Sequence, residues 1–200
     1  MPIAINGSGT VTGISAGGLP DGCIIDADIN GVAASKLSGA LPAISGASLT
    51  NVPINTDFAL WRVTTGWSGN TDPIQNFAEN NHSADMSYSS GIFSFPTTGF
   101  WKIMFQTYCY YNADQDNIEL HLMRTVNGGS SYNIKATSYS HMNNDDGGNL
   151  YTTLQVSHIF DVTDTSNCKV KFKTAGTSAN FHATSSSNES YAIFQRLGDT

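Results

Sequence analysis

Hydrophobic and polar residues alternate along most of the chain from Phe58 to the end. In the segment 117–126, for example, Ile118, Leu120 and Leu122 alternate with Glu119 and His121. A period of two over six to ten residues is typical of a β-strand with one buried face. The pattern predicts nine strands, at residues 58–63, 84–89, 92–96, 100–111, 117–126, 131–140, 150–160, 168–174 and 190–197.

Turn-forming residues separate these segments. Clusters of Asn, Asp, Gly and Pro occupy the intervals, among them 112–116, 127–129 and 143–148. No segment after residue 57 shows a convincing helical period. Eight or more short strands with turn signals between them predict an all-β sandwich or jelly roll.

The part of the chain before Phe58 has a different composition. It contains no Phe, Trp, Tyr, His or Arg, but 9 of the 19 glycines and 4 of the 6 prolines. Such a segment has little to fold around by itself. We therefore predict an N-terminal anchoring segment (1–22), a small-residue linker or stem (23–57) and a compact domain (58–200).

The stem contains the stretch LSGALPAISGASLTNVP, in which small apolar residues recur every three to five positions. Ser and Gly would let several copies of this stretch approach closely around an axis. The expectation is a joint between copies of the chain, packed through Leu37, Leu41, Ile44 and Leu49.

Charge and cysteine content narrow the possible functions. A formal net charge of -7 with 12% charged residues disfavours nucleic-acid binding. Lys169, Lys171 and Lys173 alternate, which suits either a solvated strand face or an anion site.

The three cysteines form no C-x-x-C pair, so no zinc or redox motif is indicated. The start lacks a basic and an apolar leader region, and no run has the length of a membrane span, so neither secretion through a leader nor membrane insertion is expected.

The sequence contains no motif of an enzyme family. Five histidines are present, but none lies in a G-x-S-x-G or H-E-x-x-H context. His121 and His158 fall on the polar phase of strands, where a half-exposed histidine is the default. The loop NNDDGG (143–148) collects oxygen ligands, so calcium is a possible cofactor, held by Asp145 and Asp146. No other cofactor is expected, and we predict that the protein is not an enzyme.

The block GIFSFPTTGFWKIMFQTYCY (91–110) resembles the complement globular-head and tumour necrosis factor superfamily of trimeric jelly rolls. Phe93 precedes Gly99 by six residues, and Trp101, Ile103 and Phe105 follow at alternate positions. Asn81 falls on an Asn/Asp position of that family, and SYAIFQRL resembles its closing strand. The resemblance implies a ten-stranded sandwich whose inner sheet packs against two other copies. It places Trp101, Phe105, Tyr191 and Phe194 in the core or on the trimer axis, whereas in a monomer the same residues would form an ordinary core.

The stretches GTVTGISAGGLPDG and KLSGALPAISGASLTNVP resemble the shafts and linkers of tailed-bacteriophage fibre and appendage proteins. This resemblance implies a virion protein, assembled in the host cytoplasm, whose N-terminus binds other virion proteins. Its domain would contact a host-surface glycan or envelope protein. The alternatives are a trimeric capsid decoration or head-fibre protein and, in another class, a secreted lectin-like module.

Loops of the domain are the expected place for such contacts, because three weak contacts on one particle add up to firm attachment. The candidate contact residues are Trp67, Tyr110, Tyr111, Asn143 and Asn144. Tyr132, Tyr139 and Tyr151 are further aromatic candidates.

Overall fold

The computed structural model describes residues 57–145 and 147–200. Contacts between Cα atoms divide the chain into residues 1–52 and 53–200. The predicted anchor and the stem residues Leu37, Leu41, Ile44 and Leu49 lie outside the described residues, so the anchor and stem stay predictions. The described part contains no helix of the length and apolar character that a membrane crossing needs.

The described part forms two antiparallel β-sheets. The strands, in chain order, are β1 (Phe58–Val63), β2 (Trp67–Ser68), β3 (Phe77–His82), β4 (Ser87–Ser89), β5 (Ile92–Ser94), β6 (Gly99–Tyr111), β7 (Gln115–Thr125), β8 (Asn133–Met142), β9 (Leu150–Val162), β10 (Lys169–Ala175), β11 (Asn180–Phe181) and β12 (Tyr191–Gly198).

The first sheet contains β3, β1, β12, β6 and β9 in this order, and β11 and β2 continue it beyond the end of β12. The second sheet has the order β4, β5, β10, β7, β8. Sequential neighbours along the chain therefore often lie in different sheets, and the two sheets enclose one core. The all-β sandwich expected from the alternation is confirmed.

Three of the strands in the described part were not predicted from the sequence. Strands β2 and β11 have two residues each, too few to show a period. Strand β3 (FAENNH) has one buried residue followed by five exposed ones. It is held by its ladder with β1, from Ala59 opposite His82 to Val63 opposite Phe77. The predicted segment 84–89 is a strand only at Ser87–Ser89.

The core is rich in aromatic side chains. Phe93 on β5 is fully buried and lies with its ring centroid 5.5 Å from Trp61, 5.0 Å from Phe77 and 4.8 Å from Phe194. Rings at these separations and tilts attract each other beyond the effect of burial alone. Phe105 stacks on Phe172 at 4.5 Å and so joins the first sheet to the second.

Gly99 at the start of β6 is required by the backbone. Its φ is 132°, and a Cβ at this position would lie 2.4 Å from the carbonyl oxygen of Gly198. Only glycine allows both the conformation and the close approach. This glycine starts β6, one of the two strands of 13 residues, next to the end of β12.

Two lysines on the outward face of the second sheet pair with an aspartate of the loop between β2 and β3. Lys171 Nζ lies 2.5 Å from Asp72 Oδ1 and 4.7 Å from the ring centroid of Tyr132, and Lys173 lies 3.8 Å from Asp72 Oδ2. The two lysines are thus paired with a carboxylate of the same chain. The structure gives no support to an anion site formed by these lysines. They lie on a solvated strand face, where they pair with Asp72.

Candidate functional site

The outward face of the first sheet carries large apolar side chains. Phe58 is 37% exposed, Phe100 39%, Ile159 57% and Leu197 47%, and they come from four different strands. The ladders place Leu60, Ile193 and Met104 side by side in a row across β1, β12 and β6. We call this surface the apolar patch; its members are Phe58, Leu60, Phe100, Met104, Ile159, Ile193 and Leu197.

The apolar patch lies at the end of the sheet where the chain enters the domain. Phe58 is opposite Gln195, which in turn is opposite Lys102 near the start of β6. Tyr110 is eight residues further along β6, which corresponds to about 27 Å at about 3.4 Å per residue. The face therefore has a proximal apolar end and a distal end of different composition.

The distal end is formed by tyrosines and a histidine. The ring of Tyr108 stacks on His182 at 5.1 Å and lies 6.4 Å from Tyr151, and Tyr110 lies 5.8 Å from Tyr151. The imidazole Nδ1 of His182 contacts the carboxylate of Glu189. We call this surface the tyrosine cluster; its members are Tyr108, Tyr110, Tyr151, His182 and Glu189.

Buried hydroxyl groups position His182. Thr107 Oγ1 and Ser190 Oγ, both fully buried, lie 2.7 Å apart, and Ser190 Oγ donates to the carbonyl oxygen of His182. The backbone N–H of His182 donates to the carbonyl of Tyr108 at 3.0 Å. Satisfied polar groups of this kind make a local geometry rigid. The imidazole is thus set against the Tyr108 ring by the body of the domain.

Two open cavities lie beside the tyrosine cluster. The larger, of about 520 Å³, is lined by Gln106, Tyr108, Tyr151, Thr152, Thr153, Asn188 and Glu189. The smaller, of about 290 Å³, is lined by Gly66, Trp67, Ser68, Tyr110, Asn180, Phe181, His182 and Ala183. Neither lining contains Lys or Arg, and both mix aromatic rings with amide, hydroxyl or carboxylate groups.

The environment of Tyr108 keeps its hydroxyl neutral. Burial, and after it the charge of Glu189 and the hydroxyls of Tyr151 and Tyr110, raises the pKa of Tyr108. A neutral phenol both donates and accepts a hydrogen bond. The cluster therefore presents the Glu189 carboxylate beside neutral phenols.

The residues predicted for the trimer core or interface separate into two groups. Trp101, Phe105 and Phe194 are fully buried between the two sheets of one copy. Tyr191 is half-buried on the outward face of β12, opposite Gln106 and Arg62. Of the four, Tyr191 alone is placed where another copy could contact it.

The predicted contact residues also have different positions. Trp67 stacks on Phe181 at 4.9 Å, and its indole N–H donates to Thr174 Oγ1 at 3.3 Å, so it packs as well as lines the smaller cavity. Tyr110 belongs to the tyrosine cluster. Tyr111, its neighbour, packs against the core.

Asn143 and Asn144 lie in the β8–β9 loop. The backbone N–H of Asn144 donates to Asp114 Oδ1 at 2.6 Å, and its side-chain oxygen accepts from Gly147 N–H at 2.9 Å. The amide of Asn143 donates to the Asp145 carboxylate at 3.3 Å. These contacts shape the loop from within.

The calcium prediction involves Asp145, which is exposed, and Asp146, which lies outside the described residues. Within the described ranges no three His, Cys, Asp or Glu side chains are grouped closely enough to hold a metal ion. Calcium at this loop stays a prediction.

His121 differs from the expectation of a half-exposed side chain. It is 4% exposed, because Glu119 Oε2 at 2.8 Å and Thr137 Oγ1 at 3.0 Å enclose the ring and Lys173 lies opposite it on β10. An acid, an imidazole and a hydroxyl in sequence resemble a catalytic relay in composition. A ring closed off from solvent cannot meet a substrate, so this trio joins β7 to β8 structurally.

At the level of sequence, His182 is only one of five histidines without a catalytic motif, and nothing there assigns a role to Glu189 or Tyr108. Along β6, Tyr108 points to the same side as Met104 and to the opposite side from the buried Phe105. The period of two therefore already indicated that Tyr108 lies on the outward face. His182 and Glu189 belong to or flank a segment without regular structure, which offers no periodic signal.

The fold, but not the sequence, has relatives among known proteins. No protein-family model matches the chain, and no curated protein matches its sequence. The structure of Eiger TNF from S. frugiperda superposes with a TM-score of 0.59 at 11% identity, covering 74% of this chain and 96% of that one. Murine APRIL at pH 5.0 gives a TM-score of 0.54 at 11% identity, covering 71% and 99%.

These similarities confirm the predicted fold class, a jelly roll of the tumour necrosis factor type. Because the sequence identities are so low, they show the fold alone. The globular domain of zebrafish Complement 1qA protein gives a TM-score of 0.49 at 8% identity, covering 72% of this chain and 99% of that one.

Proposed function

We propose that the chain is a homotrimeric, non-enzymatic binding module in which the apolar patch packs against other copies. The single observation that carries this proposal is the exposure of Phe58, Phe100, Ile159 and Leu197 on one face of one sheet. Single exposed apolar residues need no explanation, but several on one sheet face indicate an interaction surface. Gln195 and Lys102 lie between Phe58 and Ile159 in the ladder, so the patch includes polar groups as well. Three copies are the number that the sequence resemblance implies.

The stem would supply a second contact between copies. The stretch with Leu37, Leu41, Ile44 and Leu49 precedes Phe58, the first residue of β1, in the sequence. Its small apolar side chains would pack copies against one another independently of the apolar patch.

We further propose that this module is a fibre or appendage protein of a tailed bacteriophage, located in the virion, with its N-terminus bound to other virion proteins. What supports this is the composition of residues 1–57 and their resemblance to phage shafts and linkers. The distal end would contact the host surface, either a glycan or an envelope protein. A capsid decoration or head-fibre protein is the alternative role for the same architecture.

The trimer is tested by light scattering of the purified full chain. The expected mass is three times that of the single chain of 21.3 kDa, and it should persist on dilution. A stable mass equal to that of the single chain would refute the trimer.

The virion role is tested separately. A labelled antibody against the domain should decorate virions at fibre tips, and decoration of the capsid shell would select the alternative role. An excess of free protein should compete with phage adsorption to a susceptible host; undiminished adsorption at saturating protein would exclude host attachment.

A further inference from the structure

We propose that the tyrosine cluster and its two cavities bind a neutral oligosaccharide. This inference rests on the proposed binding function and specifies its ligand. It assigns the two ends of one sheet face to different partners: the apolar patch to other copies, and the tyrosine cluster to a sugar chain. The argument uses the position of the cluster, its rings, its polar groups and its charge.

Position separates the cluster from the contact between copies. Tyr110 and Tyr151 face each other in the ladder at the far end of β6, about 27 Å from the row of Lys102 and Phe58 and about 20 Å from the row of Met104 and Leu60, the nearest row of the apolar patch. Phe58 marks the end at which the chain enters the domain. The cluster thus lies at the end of the sheet away from the first residue of β1.

The rings provide stacking surfaces. Tyr151 is 66% exposed near the start of β9, the border strand of the first sheet, and has two further tyrosines beside it. Tyrosine offers a large amphipathic contact area at a low cost in side-chain entropy. A pyranose ring has an apolar C–H face and a rim of hydroxyls, so it can cover such a phenol while its hydroxyls remain hydrogen-bonded.

The polar groups are arranged around the rings. Asn188 and Glu189 line the larger cavity with Gln106 and Thr153. Arg62 Nε donates to Asn188 Oδ1 at 2.7 Å. This bond fixes the Asn188 side chain and thereby orients the NH₂ group of Asn188. Glu189 is held by His182. Amide and carboxylate groups in fixed positions can bind neighbouring hydroxyls of a sugar in a defined orientation.

Charge disfavours anionic ligands. The Arg62 guanidinium beside the larger cavity already donates to Asn188, Ser185 and Asn80. The only acid in either lining is Glu189, and neither lining contains Lys or Arg. Together with the net charge of -7, this disfavours phosphate, sulfate and sialic acid. An acyl chain is disfavoured because the cavities are open and polar. An uncharged polyhydroxylated ligand matches what remains.

A volume of about 520 Å³ for the larger cavity falls within the range of about 300–1,000 Å³ found for small-ligand sites. Because the cavity is open, each site should bind weakly, at millimolar concentration. Three sites on one trimer would then supply firm attachment by multivalency. The two cavities on either side of the Tyr108–His182 stack would take consecutive sugar units.

The test measures one site at a time. Ligand-observed saturation-transfer NMR on the full chain, with a panel of neutral hexose and N-acetylhexosamine oligosaccharides, should show transfer to the C–H groups for at least one of them at millimolar concentration. The sialylated and sulfated forms of the same oligosaccharides should show none. Absence of transfer from every neutral member, or transfer only to the acidic forms, would overturn the proposal.

The variant Tyr151→Ala should weaken binding at least tenfold. Tyr139→Ala is the matched control, because Tyr139 is 67% exposed but lies on β8 of the other sheet. Glu189→Gln, which keeps the shape of the group and removes its charge, should weaken neutral binding and reduce the discrimination against sialylated forms. Equal losses from the Tyr151 and Tyr139 variants would contradict the site.

Failure of this proposal differs from failure of the trimer. Saturation transfer reports on a single site, so it is expected even from a chain that light scattering finds monomeric. If Tyr151→Ala instead dissociates a trimer and no sugar binds the parent protein, the cluster is a contact between copies and the sugar site is refuted.

Discussion

Replacing Phe100 by serine tests the apolar patch most directly. Phe100 is 39% exposed on the outward face of the first sheet. A Phe side chain contributes about 200 Å² of surface, so about 80 Å² remains for a partner to cover. At about 25 cal/mol per Å², this burial stabilises each contact between copies by about 2 kcal/mol.

A closed ring of three copies has three equivalent contacts, so Phe100→Ser should destabilise the trimer by about 6 kcal/mol. Since about 1.4 kcal/mol corresponds to a factor of ten, the overall association constant falls about 10⁴-fold. The dissociation constant of a monomer–trimer equilibrium has units of concentration squared. The protein concentration at which half of the trimer dissociates therefore scales with the square root of this constant and should rise about a hundredfold.

Sedimentation equilibrium over a dilution series measures this concentration. Tyr139→Ser is the control, because it removes an exposed ring of similar size from the second sheet. Far-UV circular dichroism of both variants should match that of the parent, since both side chains are exposed. If Phe100→Ser and Tyr139→Ser dissociate at the same concentration as the parent, the apolar patch is not the contact between copies.

Three further outcomes are expected. Phe93→Ala should lower the free energy of unfolding by about 3–5 kcal/mol in urea denaturation; an unchanged midpoint would contradict its central place in the core. Burial raises the pKa of Cys109 to about 12, so iodoacetamide at pH 8 should alkylate it only in urea, as read by peptide mass spectrometry; alkylation in the folded protein would count against the burial. Burial, then the charges of Arg124 and Lys135, lowers the pKa of His158. The unfolded chain therefore binds this proton more readily, and stability falls as the pH drops below 6.5. His158→Gln should lose less stability than the parent between pH 7 and pH 5 in thermal unfolding, and equal losses would disprove the effect.

Strands with strong alternation could be predicted from the sequence. In β10, Val170 and Phe172 are buried and the lysines between them are not, as their hydrophobicity indicates. Strand β3 could not be predicted, because its residues after Phe77 are all exposed and its extended conformation depends on the ladder with β1. In β3, hydrogen bonding to β1 determines the strand conformation in place of an alternating pattern in the local sequence.

The candidate site could be predicted only in part, for a related reason. Tyr110 and Tyr111 are chemically alike, and a period of two says that they lie on opposite faces without saying which face is outside. Their roles are set by the buried Cys109 and Phe105, which fix the phase of β6. His182 reaches the cluster through hydrogen bonds to β6 and to Ser190, and a contact of this kind has no trace in local sequence.

The polar strand β3 has a consequence for how densely the domain can be displayed. It forms one border of the first sheet, where unpaired N–H and C=O groups could add a strand from a neighbouring molecule. Its exposed run from Ala78 to His82 contains Glu79 and two asparagines, and its register with β1 shifts between Leu60 and Trp61. Charged or polar side chains and an irregular ladder make such a border a poor template for fibril growth. The domain should therefore stay colloidally stable when crowded on a particle or grafted onto a nanoparticle, even though its apolar patch is suited to contact.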